Sequence, residues 1–503
     1  MIEDNTQPVD GALAAIDLGS NSFRLEIGAL ARGRYRRLEY LKETVRLGAG
    51  LDADGRLSEA AALRGLACLS EFAQRLQGMD PARVRAVATQ TLREARNRDE
   101  FLGRARQVLG LPIEVISGRE EARLIYAGVS HLQPSDEPRL VADIGGRSTE
   151  LILGRGSEPL AAESFPVGSV GLSMRFFPDG RMTAEAFRAA QVAAGAEFEE
   201  AMSTFAPTRW VQALGSSGTA GAVSQVLAAR DGGDGHITPE ALAGLIQQCL
   251  QAGHVDRLDL PGLREDRRAV IPGGLAILYT LLTHFGIASM APAKGALRQG
   301  VIIDLHERLL ALAGASGRDV RDETVKAQQQ RFGADAGQAR RVGSLALALY
   351  REVMPEADPQ SSRELGWACE LHEIGMALSH HDHHRHSAYM LSHLDAPGFS
   401  QSQQRRLGQL VLAQRGGLRK VEASLGDADW AWQVLCLRLA VIRCHARDDV
   451  VEPRLRLARR NGRTAVLTWR PSAIAPNPRT LYLLREEAQA WEKVSSLRLE
   501  LDF

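Results

Sequence analysis

Residues 140–154 read LVADIGGRSTELILG, and this stretch decides much of the fold. An apolar run ends on Asp143, a turn of glycines, an arginine and hydroxyl residues follows, and a second apolar run begins after Glu150. Apolar runs bounded by turn residues predict two buried strands joined by a tight turn. The sequence therefore places two carboxylates at the mouths of two buried strands, which raises the question of what they bind.

The pattern occurs a second time, in LAAIDLGSNSFRLEIG at residues 13–28. Residues 17–23 align with residues 143–149: an apolar strand ends on aspartate, turns through glycine and hydroxyl residues, and returns as a strand. In the first copy the returning strand alternates apolar and polar residues, as a strand with one buried face does. Two hairpins of this kind predict two similar domains that face each other.

Both turns have the composition of a phosphate-binding loop. Glycine lets backbone amide groups converge on one anion, and hydroxyl or amide side chains add further donors. The candidate phosphate-binding residues are Asp17, Gly19, Ser20, Asn21 and Ser22 in the first loop, and Gly145, Gly146, Arg147, Ser148 and Thr149 in the second.

Asp143 and Glu150 would repel a bare phosphate, and a divalent cation removes this conflict. Mg²⁺ binds one or two carboxylates together with water and phosphate oxygens. We therefore expect Asp143 and Glu150 to hold Mg²⁺, and the metal and the loop amides together to hold phosphate. The alternative is that the two carboxylates only cap the turns.

Two further segments carry candidate site residues. In VQALGSSGTAGAVS, residues 211–224, a strand leads through a glycine–serine loop into a helix, and such a helix start binds anions. Arg93 lies near another helix start, where it either clamps a phosphate or is a solvated surface residue. The candidates in the glycine–serine loop are Gly215, Ser216, Ser217 and Gly218.

The composition is that of a globular protein without overall charge. Its 503 residues suggest about three or four domains. Lys and Arg total 61, as do Asp and Glu, so a polyanion must be met by a local basic patch. The scattered cysteines are typical of reduced thiols in the cytosol. No apolar run approaches the roughly 18 residues of a membrane helix, and the N-terminus does not resemble a signal peptide. We expect a cytoplasmic protein that does not bind membranes.

The second half of the chain has a helical pattern over residues 320–450. It contains six histidines between His372 and His386, whose spacing favours a surface or hydrogen-bonded cluster over a metal site. In the tail, TAVLTWRP, RTLYLLRE and SSLRLELDF alternate like strands and predict a small α+β module. The arginines within 454–463 either are solvated or contact a polyanion.

The chain resembles the exopolyphosphatase and guanosine pentaphosphate phosphatase family in six motifs, which occur in this order: IDLGSNSFRLEIG, TQTLREA, ISGREEARLIYAGV, VADIGGRSTELILG, LGSSGTA and GALRQGV. The resemblance implies an α/β protein with two actin/sugar-kinase-like domains of the ribonuclease H-like type around a central cleft, at 1–135 and 136–312. It also implies an all-helical HD-like domain at 320–450, a small α+β C-terminal domain at 451–503, and a homodimer.

The resemblance also implies roles for individual residues. Glu121 opens a helix, and composition alone favours a helix-dipole role for it. It matches the family's catalytic glutamate, which aims a water at the terminal phosphorus and accepts its proton. Arg93 matches a family arginine near the phosphates, and Asp143 and Glu150 match the metal-site acids.

Four positions depart from the family pattern. Arg147 stands where a glycine is common, and either donates to phosphate or points outward. Gln299 replaces the acid of the family's GALREG, and Lys294 stands where an acid is common, so we expect a more basic site. His372 is followed by Glu373 rather than aspartate, so we expect no HD-type metal site.

The leading hypothesis is a Mg²⁺-dependent exopolyphosphatase that releases terminal orthophosphate from linear inorganic polyphosphate. The alternative is a phosphohydrolase that converts guanosine pentaphosphate to the tetraphosphate. A kinase on the same fold is disfavoured because the sequence shows no adenine site. A silent phosphate or alarmone sensor is disfavoured because Glu121, Asp143 and Glu150 are all retained. No specific nucleic-acid partner is expected.

Overall fold

The computed structural model describes residues 11–230, 233–315, 317–447, 455–469, 477–494 and 497–503. The chain divides into two compact units, Met1–Arg318 and Asp319–Phe503. The finer boundaries at residues 135 and 450 stay predictions. Arg454, the first arginine of the basic run, lies outside the described residues. Within the described ranges, no helix combines the length and the apolar character that crossing a membrane requires.

The first sheet of the first unit has the strand order β3-β2-β1-β4-β5. β1 runs antiparallel to β2 and parallel to β4. Every residue of β1 is buried, because the strand lies in the centre of the sheet. The strands are β1 (Leu13–Leu18), β2 (Phe23–Ala31), β3 (Arg34–Glu43), β4 (Val84–Ala88) and β5 (Ile113–Val115).

The second sheet has the order β10-β9-β6-β7-β8, which is the same arrangement read from the opposite edge. β6 runs antiparallel to β7 and parallel to β9, as β1 does to β2 and β4. The repeat found in the sequence is therefore a structural repeat, and its mixed sheets are those of the actin/sugar-kinase-like fold that the resemblance implies. The strands are β6 (Arg139–Ile144), β7 (Thr149–Arg155), β8 (Glu158–Phe165), β9 (Gln212–Ser216) and β10 (Met290–Pro292).

Helices cover these sheets, and two of them join the two halves of the unit. An apolar cluster that includes Tyr126, Ile152, Leu214 and Val301 brings α4 and α10 together with strands of both sheets. The helices are α1 (Glu59–Arg75), α2 (Gln90–Glu94), α3 (Arg98–Leu109), α4 (Gly118–Leu132), α5 (Ser169–Phe176), α6 (Ala184–Phe198), α7 (Ser217–Ala228), α8 (Pro239–Ala252), α9 (Ile271–His284) and α10 (Leu297–Leu312).

The second unit is a helical bundle with a small sheet, built on one apolar core. The described strands pair in the order β11-β12-β13. The HD-like assignment of the bundle stays a prediction. The elements are α11 (Val320–Arg331), α12 (Ala336–Val353), α13 (Pro359–Leu371), α14 (His383–His393), α15 (Gln401–Ala413), α16 (Ala428–Arg443), β11 (Leu455–Arg460), β12 (Thr464–Trp469), α17 (Pro478–Glu492) and β13 (Arg498–Asp502).

One tail prediction is wrong. The segment RTLYLLRE forms part of helix α17, not a strand. Its buried residues Leu484, Glu487 and Trp491 recur at helical spacing, and Asn477 caps the helix by accepting from the amide of Arg479. The alternation of apolar and polar residues in this segment is too short to distinguish the period of a strand from that of a helix.

Candidate active site

The corresponding hairpins of the two sheets carry different charge pairs at the same position. In the first hairpin Asp17 lies opposite Arg24, and an Arg24 guanidinium nitrogen is 3.2 Å from an Asp17 carboxylate oxygen. In the second hairpin Asp143 lies opposite Glu150. Like charges directly opposite each other destabilise a sheet. The second hairpin therefore has a repulsion that a cation would relieve.

Burial makes this repulsion severe. It raises the pKa of Glu150 well above its ordinary value, and the charges of Glu121 and Asp143 raise it further. Burial likewise raises the pKa of Asp143, against hydrogen bonds from Ser217 and Ser216. Among the described residues, no group of three or more His, Cys, Asp or Glu side chains forms a complete metal site. The Asp143–Glu150 pair nevertheless fits Mg²⁺, which needs only one or two carboxylates when phosphate and water supply the remaining oxygens.

Glu121 lies in the first turn of α4, beside this pair. Ser117 caps the helix by accepting from the Glu120 amide. Arg93 donates from Nη1 to Glu121 Oε2 at 2.8 Å and to the Ile116 carbonyl at 3.0 Å. Burial raises the pKa of Glu121 to about 7 although Arg93 lowers it. A carboxylate with a pKa near neutrality suits a general base.

A buried ion network holds the helix that carries Glu121. Asp304 on α10 accepts from Arg85 Nη1 at 2.7 Å and from Arg123 Nη2 at 2.7 Å. At Gly300 a Cβ would lie 1.7 Å from the Leu124 carbonyl oxygen, so only glycine allows α10 to approach α4 this closely. The position of α4 is therefore fixed by backbone packing and by paired charges.

The two predicted phosphate loops line one cavity with a volume of about 70 Å³. The loops approach each other at Gly146, where a Cβ would lie 3.2 Å from the Ser20 Cβ. The amide groups of Ser20 and Gly146 find no hydrogen-bond acceptor in the described part of the chain, so they remain able to bind an anion. The predicted residues that line the cavity are Asp17, Gly19, Ser20, Asn21, Ser22, Glu121, Asp143, Gly145, Gly146, Ser148, Ser217 and Gly218.

The other predicted residues lie behind this surface. Arg93 contacts the site through Glu121. Glu150 does not line the cavity, and its Oε1 accepts from the Ser164 hydroxyl at 2.8 Å. The Thr149 hydroxyl donates to the Val167 carbonyl at 2.6 Å, and the Ser216 hydroxyl donates to the Gly295 carbonyl at 3.1 Å. Gly215 does not line the cavity, and it directly precedes Ser216, the last residue of β9.

Arg147 also lies outside the cavity lining. Its Nη2 is 2.8 Å from Glu94 Oε2, and its Nη1 donates to the Gly48 carbonyl at 3.2 Å. The sequence predicts that Arg147 either donates to phosphate or points outward. The structure shows neither, because the Arg147 side chain is bonded to Glu94 and Gly48.

Three arginines of the site were not predicted. Arg24, Arg267 and Arg298 line both the first cavity and an adjoining second cavity of about 340 Å³. Burial, together with the charge of Arg24, lowers the pKa of Arg267. Arg24 and Arg298 pair with Asp17 and Glu26 respectively. Arg24 and Arg298 stand inside two of the recognised motifs, whereas Arg267 stands in a charged run with no distinguishing pattern.

The second cavity is basic, and two departures from the family pattern, Lys294 and Gln299, line it. Its cationic lining residues are Arg24, Arg37, Lys42, Arg264, Arg267, Lys294 and Arg298. Lys294 thus supports the expectation of a more basic site. Tyr40 lies in the same wall, with the Arg298 guanidinium carbon 5.1 Å from the centre of its ring.

Gln299, on helix α10, contacts a carboxylate of strand β2. Gln299 Nε2 donates to both carboxylate oxygens of Glu26 on β2, at 2.6 and 2.8 Å. Glu26 is fully buried and also accepts from Arg298 Nε at 3.1 Å. Gln299 and Arg298 therefore both donate to the same buried carboxylate, Glu26.

Comparison with known proteins identifies the family to which the chain belongs. A family model described as the Ppx/GppA phosphatase family matches residues 29–309, and a model of domain III of this phosphatase matches residues 320–488. The chain belongs to the Ppx/GppA phosphatase family. The two matches cover parts of both units, which agrees with the full-length resemblance seen in the sequence.

Curated Ppx/GppA relatives match over nearly the whole chain. A guanosine-5′-triphosphate,3′-diphosphate pyrophosphatase of Photobacterium profundum is 37% identical over 485 residues, which is 96% of each protein. A protein of the same name from Vibrio cholerae is 38% identical over 480 residues, covering 94% of this chain and 95% of the relative.

Solved Ppx/GppA structures match a shorter part. An exopolyphosphatase-like protein is 26% identical with a TM-score of 0.55, covering 60% of this chain and 99% of that protein. An exopolyphosphatase from Cytophaga hutchinsonii is 25% identical with a TM-score of 0.54, covering 61% and 99%. The two curated relatives named here thus carry the guanosine name, and the two solved proteins named here carry the exopolyphosphatase name.

Proposed function

We propose that this protein is a guanosine pentaphosphate 5′-phosphohydrolase, which releases the terminal phosphate and leaves guanosine tetraphosphate. The observation that carries the proposal is the basic second cavity, which adjoins the catalytic cavity and shares Arg24, Arg267 and Arg298 with it. A substrate with a 5′-triphosphate and a separate 3′-diphosphate presents two anionic groups, and two adjoining cationic cavities suit them. The relatives that match over 94–96% of the chain support this choice over polyphosphate.

The reaction is the hydrolysis of a phosphoanhydride by water. The amides of the two loops hold the terminal phosphate, and Glu121 orients a water in line with the phosphorus and accepts its proton. Arg93 keeps Glu121 in place and favours its ionised form. When Mg²⁺ is bound by Asp143 and Glu150, it supplies positive charge beside the phosphate oxygens.

A second candidate substrate is inorganic polyphosphate, the leading hypothesis from the sequence. It shares the terminal phosphoanhydride that the site would cleave, and the exopolyphosphatase of C. hutchinsonii resembles this chain in fold and sequence. A linear chain has no second phosphate group at a fixed branch, so it uses the second cavity less fully than guanosine pentaphosphate does.

The test compares three substrates with Mg²⁺ present: guanosine pentaphosphate, guanosine triphosphate and long polyphosphate. We expect the highest kcat/KM for guanosine pentaphosphate. Guanosine triphosphate lacks the 3′-diphosphate, and losing charge-assisted hydrogen bonds of 1.5–3 kcal/mol should lower kcat/KM by roughly 10–100-fold. A higher kcat/KM for polyphosphate, or equal values for the two nucleotides, would overturn the proposal.

A further inference from the structure

A chain of hydrogen bonds connects Arg147 to the proposed base. Arg147 donates to Glu94 Oε2, with Nε at 3.0 Å and Nη2 at 2.8 Å. The other oxygen, Glu94 Oε1, accepts from Gln90 Nε2 at 2.6 Å. Gln90 Oε1 accepts from Arg93 Nε at 2.9 Å and Nη2 at 2.6 Å. Arg93 Nη1 then donates to Glu121 Oε2 at 2.8 Å.

The chemistry of the partners fixes the direction of each bond in this chain. A guanidinium only donates and an ionised carboxylate only accepts. The Gln90 amide lies between them, so its oxygen must face Arg93 and its nitrogen must face Glu94. A flipped Gln90 would oppose donor to donor and acceptor to acceptor, so the orientation is not a free choice.

The chain restrains the Arg93 guanidinium on two sides. Gln90 holds two of its nitrogens, and Glu121 with the Ile116 carbonyl holds the third. The Arg93 and Glu121 side chains are only 11% and 9% exposed, so water can hardly replace their hydrogen-bond partners. Glu94 is 30% exposed and without Arg147 would turn toward solvent, and the Gln90 amide would lose its acceptor.

We propose that Arg147 is a positioning residue for the base: through Glu94 and Gln90 it holds the Arg93 guanidinium against Glu121. The proposal deepens the proposed function and rests on it. It also explains a departure from the family pattern, since a glycine at position 147 has no side chain to hold Glu94.

A competing route from Arg147 leads to the substrate instead. Arg147 Nη1 donates to the Gly48 carbonyl, and the Gly48 amide donates to the Ser20 carbonyl at 2.7 Å in the first phosphate loop. If this route dominated, loss of Arg147 would loosen the loop and weaken substrate binding. The two routes therefore predict different kinetic constants to change.

The experiment measures kcat and KM of the full-length protein for guanosine pentaphosphate. Arg147→Met keeps the apolar stem and removes the donors, and Gln90→Leu breaks the chain at its centre. Small misplacements of catalytic groups cost up to about 10²-fold. We expect Arg147→Met to lower kcat by roughly 10-fold with less than about a 2-fold change in KM. Arg147→Met added to Gln90→Leu should cause no further loss.

The matched control is Arg104→Met, which removes an arginine–glutamate pair away from the site. Arg104 Nη2 is 2.8 Å from Glu59 Oε1, and its side chain is 33% exposed against 26% for Arg147. We expect unchanged kcat and KM, and a thermal midpoint like that of Arg147→Met, because exposed ion pairs contribute little. An increase in KM at constant kcat, additive losses in the double variant, or an effect no larger than the control would each overturn the proposal.

A measurement independent of activity separates this proposal from the proposed function. In protein with ¹⁵N-labelled arginine, the Arg93 Nε–H signal, assigned with Arg93→Lys, should exchange slowly with water in the wild type and faster in Arg147→Met. If the wild type hydrolyses none of the three substrates, the proposed function fails, and this signal still decides the positioning role. An unchanged Arg93 signal in Arg147→Met would overturn it.

Discussion

Glu121 is a buried carboxylate whose charge depends on its neighbours. Burial raises its pKa to about 7, Asp143 and Asp17 add to the rise, and Arg93 opposes it. Burying such a carboxylate costs folding free energy. In natural proteins, carboxylates with strongly perturbed pKa values occur mostly at sites where they have a chemical task. The geometry and the pKa together favour Glu121 as the base.

We predict that Glu121→Gln folds and binds substrate but loses turnover by at least roughly 10²-fold, the low end for removing a general base. The amide keeps the size of the side chain and cannot accept the proton. Phosphate release and nucleotide binding by calorimetry check the two halves of the prediction. Near-normal phosphate release by a folded variant would remove Glu121 from the mechanism.

Asp143 and Glu150 face each other across β6 and β7, and their shared charge predicts a metal requirement. We expect Asp143→Asn and Glu150→Gln each to raise the Mg²⁺ concentration at half-maximal activity, because each removes a hard anionic ligand. A Mg²⁺ titration of phosphate release checks this. Titration curves that coincide with the wild type for both variants would reject the metal role.

The same pair predicts a pH-dependent stability in the absence of metal. Because burial raises the folded-state pKa of Glu150 above its ordinary value of 4.5, the folded protein binds this proton more tightly than the unfolded chain. Stability is therefore lost as the pH rises above 4.5 toward the folded-state pKa. In EDTA, Glu150→Gln should have a higher Tm than the wild type at pH 8, and the difference should shrink toward pH 4.5.

Thermal scans at several pH values give this difference directly. Adding Mg²⁺ should reduce or reverse it, because the metal binds and stabilises the folded wild type more than the variant. A Tm difference that is constant with pH would show that Glu150 does not carry a buried, uncompensated charge.

At the scale of elements, α4 and α10 form the support of the base. Their backbones meet at Gly300. Asp304 accepts from Arg85 and Arg123, and it forms an ion pair with Arg308, whose Nε lies 2.6 Å from a carboxylate oxygen. The surrounding arginines hold the pKa of Asp304 well below its usual range. Asp304 thus contacts three arginines, and Glu114 and Glu120 share the charges of Arg85 and Arg123 with it.

We predict that Asp304→Asn lowers the free energy of unfolding by about 3–5 kcal/mol, the cost of removing one partner from buried ion pairs. Activity of the remaining folded protein should also fall, since α4 carries Glu121. Urea denaturation of the variant and of Glu59→Gln, an exposed-pair control, checks the prediction. Equal midpoints for the two variants would show that the network contributes little.

At the scale of the whole molecule, the residues that line both cavities all belong to the unit Met1–Arg318. The unit has its own sheets and apolar clusters. The second unit has a separate core. This division predicts that the chemistry needs only the first unit.

We predict that the isolated chain 1–318 folds and hydrolyses guanosine pentaphosphate. Circular dichroism checks the fold first, and phosphate release follows. The isolated unit should lose affinity for long polyphosphate if the arginines of the second unit contact it, although Arg456 and Arg460 already pair with Glu352 and Glu500. A folded chain 1–318 without any hydrolytic activity would contradict the prediction that the chemistry needs only the first unit.

The sequence determined the repeat, the two hairpins and most of the residues around the first cavity. These features are local: a strand, a glycine turn and a second strand are encoded by neighbouring residues, so a period-2 pattern and a turn composition suffice to predict them. The motifs also indicated the family. The family resemblance implied a catalytic role for Glu121, whereas composition alone favoured a helix-dipole role.

The tertiary structure alone decided which charges meet across long sequence distances. Glu26 accepts from Gln299, Arg267 lies near Arg24, and Arg147 pairs with Glu94, and each pair is brought together by folding rather than by sequence proximity. These pairs depend on how the helices cross and on how the two sheets face each other. No local sequence pattern encodes either arrangement. Electrostatic energy depends on separation in space and on burial, and only the folded chain fixes both.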